Sequence, residues 1–158
     1  MIDLSIVIVS YNARADLEGC LASLRQHPPS ATHEIVLVDN ASTDGSADAA
    51  CAAGVRVITN ATNIGFAAAN NVGIRASSGI DVLLLNSDTI VTSGAIDRLL
   101  AELRDDPTVA VVGPRLVDGD GRAELSHGRM IGPLNEFLQK RRSRHDVEAL
   151  TRRRQYPD

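Results

Sequence analysis

Short apolar runs alternate along this chain with segments whose apolar residues recur every three or four positions. Residues 4–10 (LSIVIVS) are continuous and β-branched, as in a strand buried on both faces. Residues 13–26 then place Leu17, Leu21 and Leu24 at helical spacing, with Asn12 as the expected cap and Pro28-Pro29 as the stop. Residues 34–39 (EIVLVD) predict a second strand. Ser42, Thr43 and Asp44 supply cap chemistry for a following helix, and Gly54 closes it. Residues 55–59 predict a third strand. Residues 65–77 predict a helix, despite two Gly and two Asn. Residues 81–85 (DVLLL) predict a fourth strand. Ile96, Leu99, Leu100 and Leu103 stand at i, i+3, i+4 and i+7 in a helix that Pro107 ends, and residues 109–113 (VAVVG) predict a fifth strand. Beyond Pro114 the pattern weakens into loops with a short hairpin around 118–121. Residues 134–154 carry an uneven helical face.

Strand–helix alternation at this spacing implies βαβ units: an α/β fold with a doubly wound, mostly parallel sheet and helices on both faces. In such sheets ligands bind beyond the carboxyl ends of the strands. Those ends are Tyr11-Asn12, Asp39-Asn40, the stretch 60–65, and Asn86-Ser87-Asp88, and all are polar. Asp39 and Asp88 are expected on one edge. A carboxylate there can accept hydrogen bonds from a nucleobase or ribose, or hold a hard divalent cation shared with a diphosphate. The same residue types also serve as caps and turns, so each Asp alone leaves both readings open. Asn63, Asn70 and Asn71 near Gly65 fit a helix start facing a ligand, with Gly65 allowing close approach, or a solvated helix face.

Composition narrows the choice. The chain has 158 residues, 44% apolar and 23% charged, so it can bury the core of a globular domain. With 3% aromatics and no Trp, that core must be aliphatic. A net charge of −4 gives no support for nucleic acid as the main partner. Residues 1–139 hold 9 basic and 17 acidic residues, whereas residues 140–158 hold 7 basic and 3 acidic. The basic end suits a solvated terminus, or peripheral contact with an anionic membrane surface. Cys20 and Cys51 lie in Ala-rich helical patterns without metal-ligand spacing, as small core or surface residues in a reducing compartment. No stretch reaches the roughly 18 apolar residues of a membrane span. The start lacks a basic leader, so a cytoplasmic domain is expected, or one at the inner face of the membrane where the tail makes contact.

The ordered motifs SIVIVSYN, EIVLVDNASTDGS, NIGFAAANNVGI and VLLLNSDT resemble the inverting glycosyltransferase family 2, and the N-x-D form resembles its rhamnosyltransferase-like branch. The resemblance covers about residues 4–130. It implies a GT-A fold, with residues 1–130 as a nucleotide-sugar-binding domain and 131–158 as a basic C-terminal segment. By the same resemblance Tyr11 and Asn12 lie at the nucleotide pocket, and Asp39 binds a base such as uracil or thymine. Asn63, Gly65, Phe66 and Asn70 line the nucleotide and sugar side, and Asn86 stands near the ribose. Asp88 holds Mn²⁺ or Mg²⁺ on the diphosphate. The implied partners are a nucleotide-diphosphate-sugar donor and a saccharide or lipid-linked acceptor, in polysaccharide or cell-wall biosynthesis. Ser126 and Arg129 match an acceptor-side motif only loosely.

Inverting transfer needs a general base on the acceptor hydroxyl. The family's base lies further along the chain, and Glu136, Asp146, Glu148, His127 and His145 match no motif, so no catalytic residue is assigned. The chain is expected to carry the donor half and to be incomplete in the acceptor half, as in a truncated or frame-shifted reading frame. The alternative function is a nucleotide-sugar-binding module without turnover. A nicotinamide-dependent dehydrogenase fits poorly, because the loop after the first strand is SYNARADLEG and not a Gly-rich turn.

Overall fold

Strand β1 (Leu4–Ser10) is buried along its whole length because a strand lies on each side and helices cover both faces. The computed structural model describes residues 1–118 and the strand 123–124, in two units, Met1–Pro107 and Thr108–Asp158. The first unit continues with α1 (Arg14–Gln26), β2 (His33–Asp39), α2 (Ser46–Ala52), β3 (Arg56–Thr59), α3 (Phe66–Ala76), β4 (Asp81–Asn86) and α4 (Ala95–Asp105). The four strands form one parallel sheet in the order β3-β2-β1-β4. Its register aligns Ile8 with Leu37 and Leu85, and Ser10 with Asp39.

Period-two alternation divides the core between two faces. On one, Leu4, Ile6, Ile8 and Leu37 meet Leu17, Cys20, Leu21 and Leu24 of α1, Ala50 of α2, and Ile96 and Leu100 of α4. Each fully buried Leu or Ile contributes about 2 kcal/mol from area removed from water. This aliphatic cluster therefore holds the sheet without aromatics. On the other face Val9 and Val38 meet Ala69 and Val72 of α3. There α3 lies close to the sheet because residue 73 is Gly: a Cβ at Gly73 would stand 2.3 Å from Val7 Cγ1. Helices thus cover both faces, as the sequence predicts. The outer edge of β4 has no partner strand among the described residues, and Val82 and Leu84 are exposed.

The opposite end of the strands is fastened by Glu34. Its Oε1 accepts from Ser5 Oγ, Ser78 N and Ser78 Oγ, each at 2.7 Å. Arg104 donates from Nε and Nη2 to Asp81 Oδ2 at 3.0 and 2.7 Å, fixing the end of α4 to the start of β4.

Two expectations are corrected. Asn12 does not cap α1: Ala13 occupies the cap position, and Asn12 takes a left-handed φ of 49° that turns its side chain toward the loop after β2. Residues 109–113 are not a strand, and Val111 is 85% exposed. An apolar run becomes a strand only when its backbone groups find a ladder, and within its own unit this run has none among the described residues. The second unit does contain the expected hairpin, with β5 (Leu116–Val117) antiparallel to β6 (Ala123–Glu124). The predicted helix at 134–154, the boundary at 130/131, the basic tail, Ser126, Arg129 and the late carboxylates and histidines lie outside the described residues. Among those described, no helix is long and apolar enough to cross a membrane.

Candidate functional site

The chain steps outward from β1 to β2 to β3, then crosses through α3 to place β4 on the other side of β1. The strand order therefore reverses between β1 and β4, where an open α/β sheet has its ligand crevice at the carboxyl edge. All nine residues singled out in the sequence lie on that edge or in the elements that leave it.

The loops after β1 and β2 are locked together. Asn12 N donates to Ser42 Oγ at 2.9 Å, and Thr43 N donates to Asn12 Oδ1 at 2.8 Å. Asp44 then serves two helices at once. Its Oδ2 accepts from Arg14 N in the first turn of α1 at 2.9 Å, and its Oδ1 accepts from Ser46 N in the first turn of α2 at 3.0 Å. The bond from the Ser46 hydroxyl, above all, holds the Asp44 carboxyl below its usual range. A negative charge at two helix N-termini also suits their dipoles. Asp44 thus supplies hydrogen bonds to both helix starts, although Ala13 and Gly45 hold the cap positions.

Asp39 ends β2 and is 1% exposed. Its Oδ2 accepts from Ser42 N at 3.0 Å, whereas Oδ1 is buried without a hydrogen-bond partner among the described residues. A buried unpaired carboxylate oxygen is costly, so its presence at the carboxyl edge of the sheet calls for a partner from outside the chain or a rearranged neighbour. Ala41, two residues on, has a φ of 68°, a strained value for a residue with a Cβ.

Asn40, buried beside Asp39, organises the next loop. Its Oδ1 accepts from Asn60 Nδ2 and Ile64 N, both at 3.1 Å, and its Nδ2 donates to Asn63 Oδ1 at 2.7 Å. Asn63 Oδ1 also accepts from Gly65 N at 3.0 Å. Gly65 has φ 84° and ψ 157°, a region open to glycine alone, and nothing lies within 4 Å of where its Cβ would be. Glycine is needed there for its backbone, and space remains above it. α3 begins at the next residue, with Phe66 exposed at its start. Asn70 is buried, not solvated, and donates from Nδ2 to Phe66 O at 3.0 Å.

β4 runs one residue further than the sequence predicts, to Asn86, whose carbonyl accepts from Thr89 N at 3.2 Å in the turn that presents Asp88. Asp88 is exposed and has no hydrogen-bond or ion-pair partner among the described residues. It stands two strand positions from Asp39, roughly 10 Å across the sheet edge. Cys20 lies beneath it, wholly buried. Burial, then the Asp88 carboxylate, pushes the Cys20 thiol up to about 11.

The predicted residues therefore divide by what their side chains do. Tyr11, Phe66, Asn86 and Asp88 are exposed at the edge, and Asp39 has one unengaged oxygen. Asn12, Asn63 and Asn70 are bonded within the framework. Reading the sequence missed Asn40 as the centre of that framework. The signal was present in the three asparagines, 40, 60 and 63, that follow neighbouring strands.

The edge fits a divalent cation in one specific way. Among the described residues no three His, Cys, Asp or Glu side chains cluster to form a closed cage. A single exposed carboxylate suits Mg²⁺ or Mn²⁺ held jointly by protein, diphosphate and water. A second cleft, lined by Asp3, Ser30, Asp97 and Arg104, opens at the other end of the strands. Its polar groups are taken up by the fold: Asp97 by Ser30, Asp3 by Thr32, and Arg104 by Asp81.

The sequence model of the family described as Glycosyl transferase family 2 matches residues 5–154. An uncharacterized glycosyltransferase of Haemophilus influenzae is 33% identical over 107 residues, 67% of this chain and 36% of that protein. The N-acetylglucosaminyl-diphospho-decaprenol L-rhamnosyltransferase of Mycobacterium tuberculosis is 32% identical over 143 residues, 80% of this chain and 45% of that protein. The mannosyltransferase PcManGT from Pyrobaculum calidifontis, solved with GDP-Man and Mn²⁺, superposes with a TM-score of 0.62 at 23% identity, over 68% of this chain and 35% of that one. That likeness gives the GT-A fold. The chain spans less than half the length of these relatives.

Proposed function

The chain belongs to glycosyl transferase family 2, and from that premise we propose that it forms the donor-binding part of an inverting glycosyltransferase. The donor is a nucleotide-diphosphate-sugar, with a thymidine-diphosphate rhamnose as the first candidate, and the acceptor is a saccharide or lipid-linked saccharide. The rhamnosyl choice rests on the N-x-D motif and on the rhamnosyltransferase relative. The observation that carries the reading is Asp88, an exposed carboxylate without a partner among the described residues, at the point where strand order reverses.

Each part of the edge has a role in this reading. Asp39 Oδ1 accepts an N–H of the base. Tyr11 and Phe66 give the base and ribose apolar surface. Asn86 meets the ribose, and the turn at Gly65 brings backbone close to the diphosphate and sugar. Asp88 holds Mn²⁺ or Mg²⁺, which when bound offsets the charge that grows on the leaving diphosphate. Asn12, Asn40, Asn63 and Asn70 keep the loops in position. No described residue is assigned as the general base.

A second reading is a donor-binding module without turnover, in keeping with the lack of an assigned general base among the described residues. Calorimetric titration with thymidine, uridine and guanosine diphosphates, with and without Mn²⁺, tests the donor site. Metal-dependent binding that Asp88→Ala abolishes is expected. No binding by folded protein sinks both readings. Binding without sugar transfer or donor hydrolysis, measured with the matching nucleotide-sugar, selects the second.

A further inference from the structure

Among the described residues two buried side-chain polar atoms lack a hydrogen-bond partner, Ser10 Oγ and Asp39 Oδ1. They are neighbours. Ser10 and Asp39 are register partners at the end of the β1–β2 ladder. Aligned residues of parallel strands, about 4.8 Å apart, point to the same face. That face is the one on which Ile8 and Leu37 pack, two residues earlier on each strand. On the other side of β1 the ladder with β4 stops at Val9 and Asn86, so Ser10 has a paired neighbour only on β2. The Ser10 backbone is already engaged, its carbonyl accepting from Asn40 N at 2.8 Å. A stranded donor thus lies beside a stranded acceptor, and a serine hydroxyl can be re-aimed by rotation about one side-chain bond.

We propose that Ser10 is a positioning residue for Asp39: its hydroxyl turns to donate to Asp39 Oδ1 and fixes the carboxylate in the orientation that receives a nucleobase N–H. This rests on the reading of Asp39 as the base-binding residue. With Ser42 N on Oδ2 and Ser10 on Oδ1, the carboxylate is held at both oxygens. A carboxylate oxygen has two acceptor sites, so Oδ1 keeps one for the ligand. Ser10 acts only through Asp39 and touches no ligand itself.

The test is a double-mutant cycle read by calorimetry, using thymidine and uridine diphosphates with Mn²⁺ on the full chain, Ser10→Ala, Asp39→Asn and the double variant. Thermal melts check that each is folded; Ser10→Ala takes the donor from the buried Asp39 Oδ1 and is expected to lower stability modestly, so binding is compared at a temperature where every variant is folded. Ser10→Ala is expected to weaken binding roughly tenfold and to cause no further loss in the Asp39→Asn background. A uridine diphosphate methylated at base N3 has no N–H for Asp39, so it is expected to bind the chain and Ser10→Ala alike. Unchanged binding by Ser10→Ala, or an equal loss in both backgrounds, overturns the proposal. The underlying reading fails by a different result: no nucleoside diphosphate binding by the unaltered chain, or Asp39→Asn binding as tightly as the unaltered chain.

Discussion

Asn40 Nδ2 donates to Asn63 Oδ1 at 2.7 Å, joining the end of β2 to the loop that leads into α3. Through Asn40 Oδ1 the same side chain holds Asn60 and the backbone of Ile64. One buried amide thus sets the shape of the loop that brings Gly65 and Phe66 to the edge. Asn40→Ala is expected to destabilise the chain by about 2–4 kcal/mol, because it leaves two donors without their acceptor. Asn71→Ala, on the exposed side of α3, is expected to change stability by less than about 0.5 kcal/mol. Urea denaturation of both variants gives the comparison, and equal effects would remove Asn40 from the centre of the loop.

Gly73 is the close-approach glycine of the sheet. A Cβ there would stand 2.3 Å from Val7 Cγ1 and 3.2 Å from Val38 Cγ2, and both are buried, branched side chains with little room to move. Gly73→Ala is expected to cost about 1–3 kcal/mol by overpacking, against its gain in helix propensity. Val7→Ala in the same chain makes room for the new methyl. The double variant is therefore expected to show a smaller loss than the two single losses added together, and strict additivity in melting experiments would contradict the packing account.

Acid stability should depend on Glu34. Bonds from the Ser78 hydroxyl, then the Ser5 hydroxyl and the Ser78 N–H, hold its carboxyl below the ordinary value of 4.5. A depressed carboxylate contributes stability above its unfolded value and loses it as pH falls through the folded one. Glu34→Gln is therefore expected to be less stable than the unaltered chain at pH 7. The gap should narrow as pH drops from 4.5 through the lower folded value. Denaturation midpoints from pH 7 to pH 3 measure it, and a gap constant over that range would rule out the ionised form as the stabilising one.

The two cysteines should react very differently. Cys51 is exposed and Cys20 is buried, with its thiol pushed up to about 11 by burial and then by Asp88. The thiolate is the reactive species. At pH 8 an alkylating reagent is expected to modify Cys51 within minutes and to reach Cys20 only after unfolding. Mass spectrometry of digests, with and without urea, follows both sites. Rapid labelling of Cys20 in the folded chain would show that α1 does not seal the thiol against the sheet.

The sequence by itself determined the four parallel strands, the helices between them and the edge on which Asp39 and Asp88 lie. Period-two and helical spacing depend on local geometry, and the βαβ rule converts them into a parallel sheet without reference to distant contacts. The same local logic found the hydrogen-bonding role of Asp44, though not Gly45 in the cap position, and it singled out Gly65 for close approach, where the structure adds a φ of 84°. It failed at residues 109–113, where an apolar run lacks a ladder, and at Asn12, whose side chain serves the loop after β2 rather than its own helix. Only the tertiary structure decided that Asn40, Asn60 and Asn63 form one network, that Asn70 is buried, and that the Ser10 hydroxyl, without a partner among the described residues, stands beside Asp39. A side chain's hydrogen-bond partners are set by which strands become neighbours and in what register. For the asparagine network and the Ser10–Asp39 pair the neighbours come from segments 20 or more positions away, beyond the reach of any local pattern.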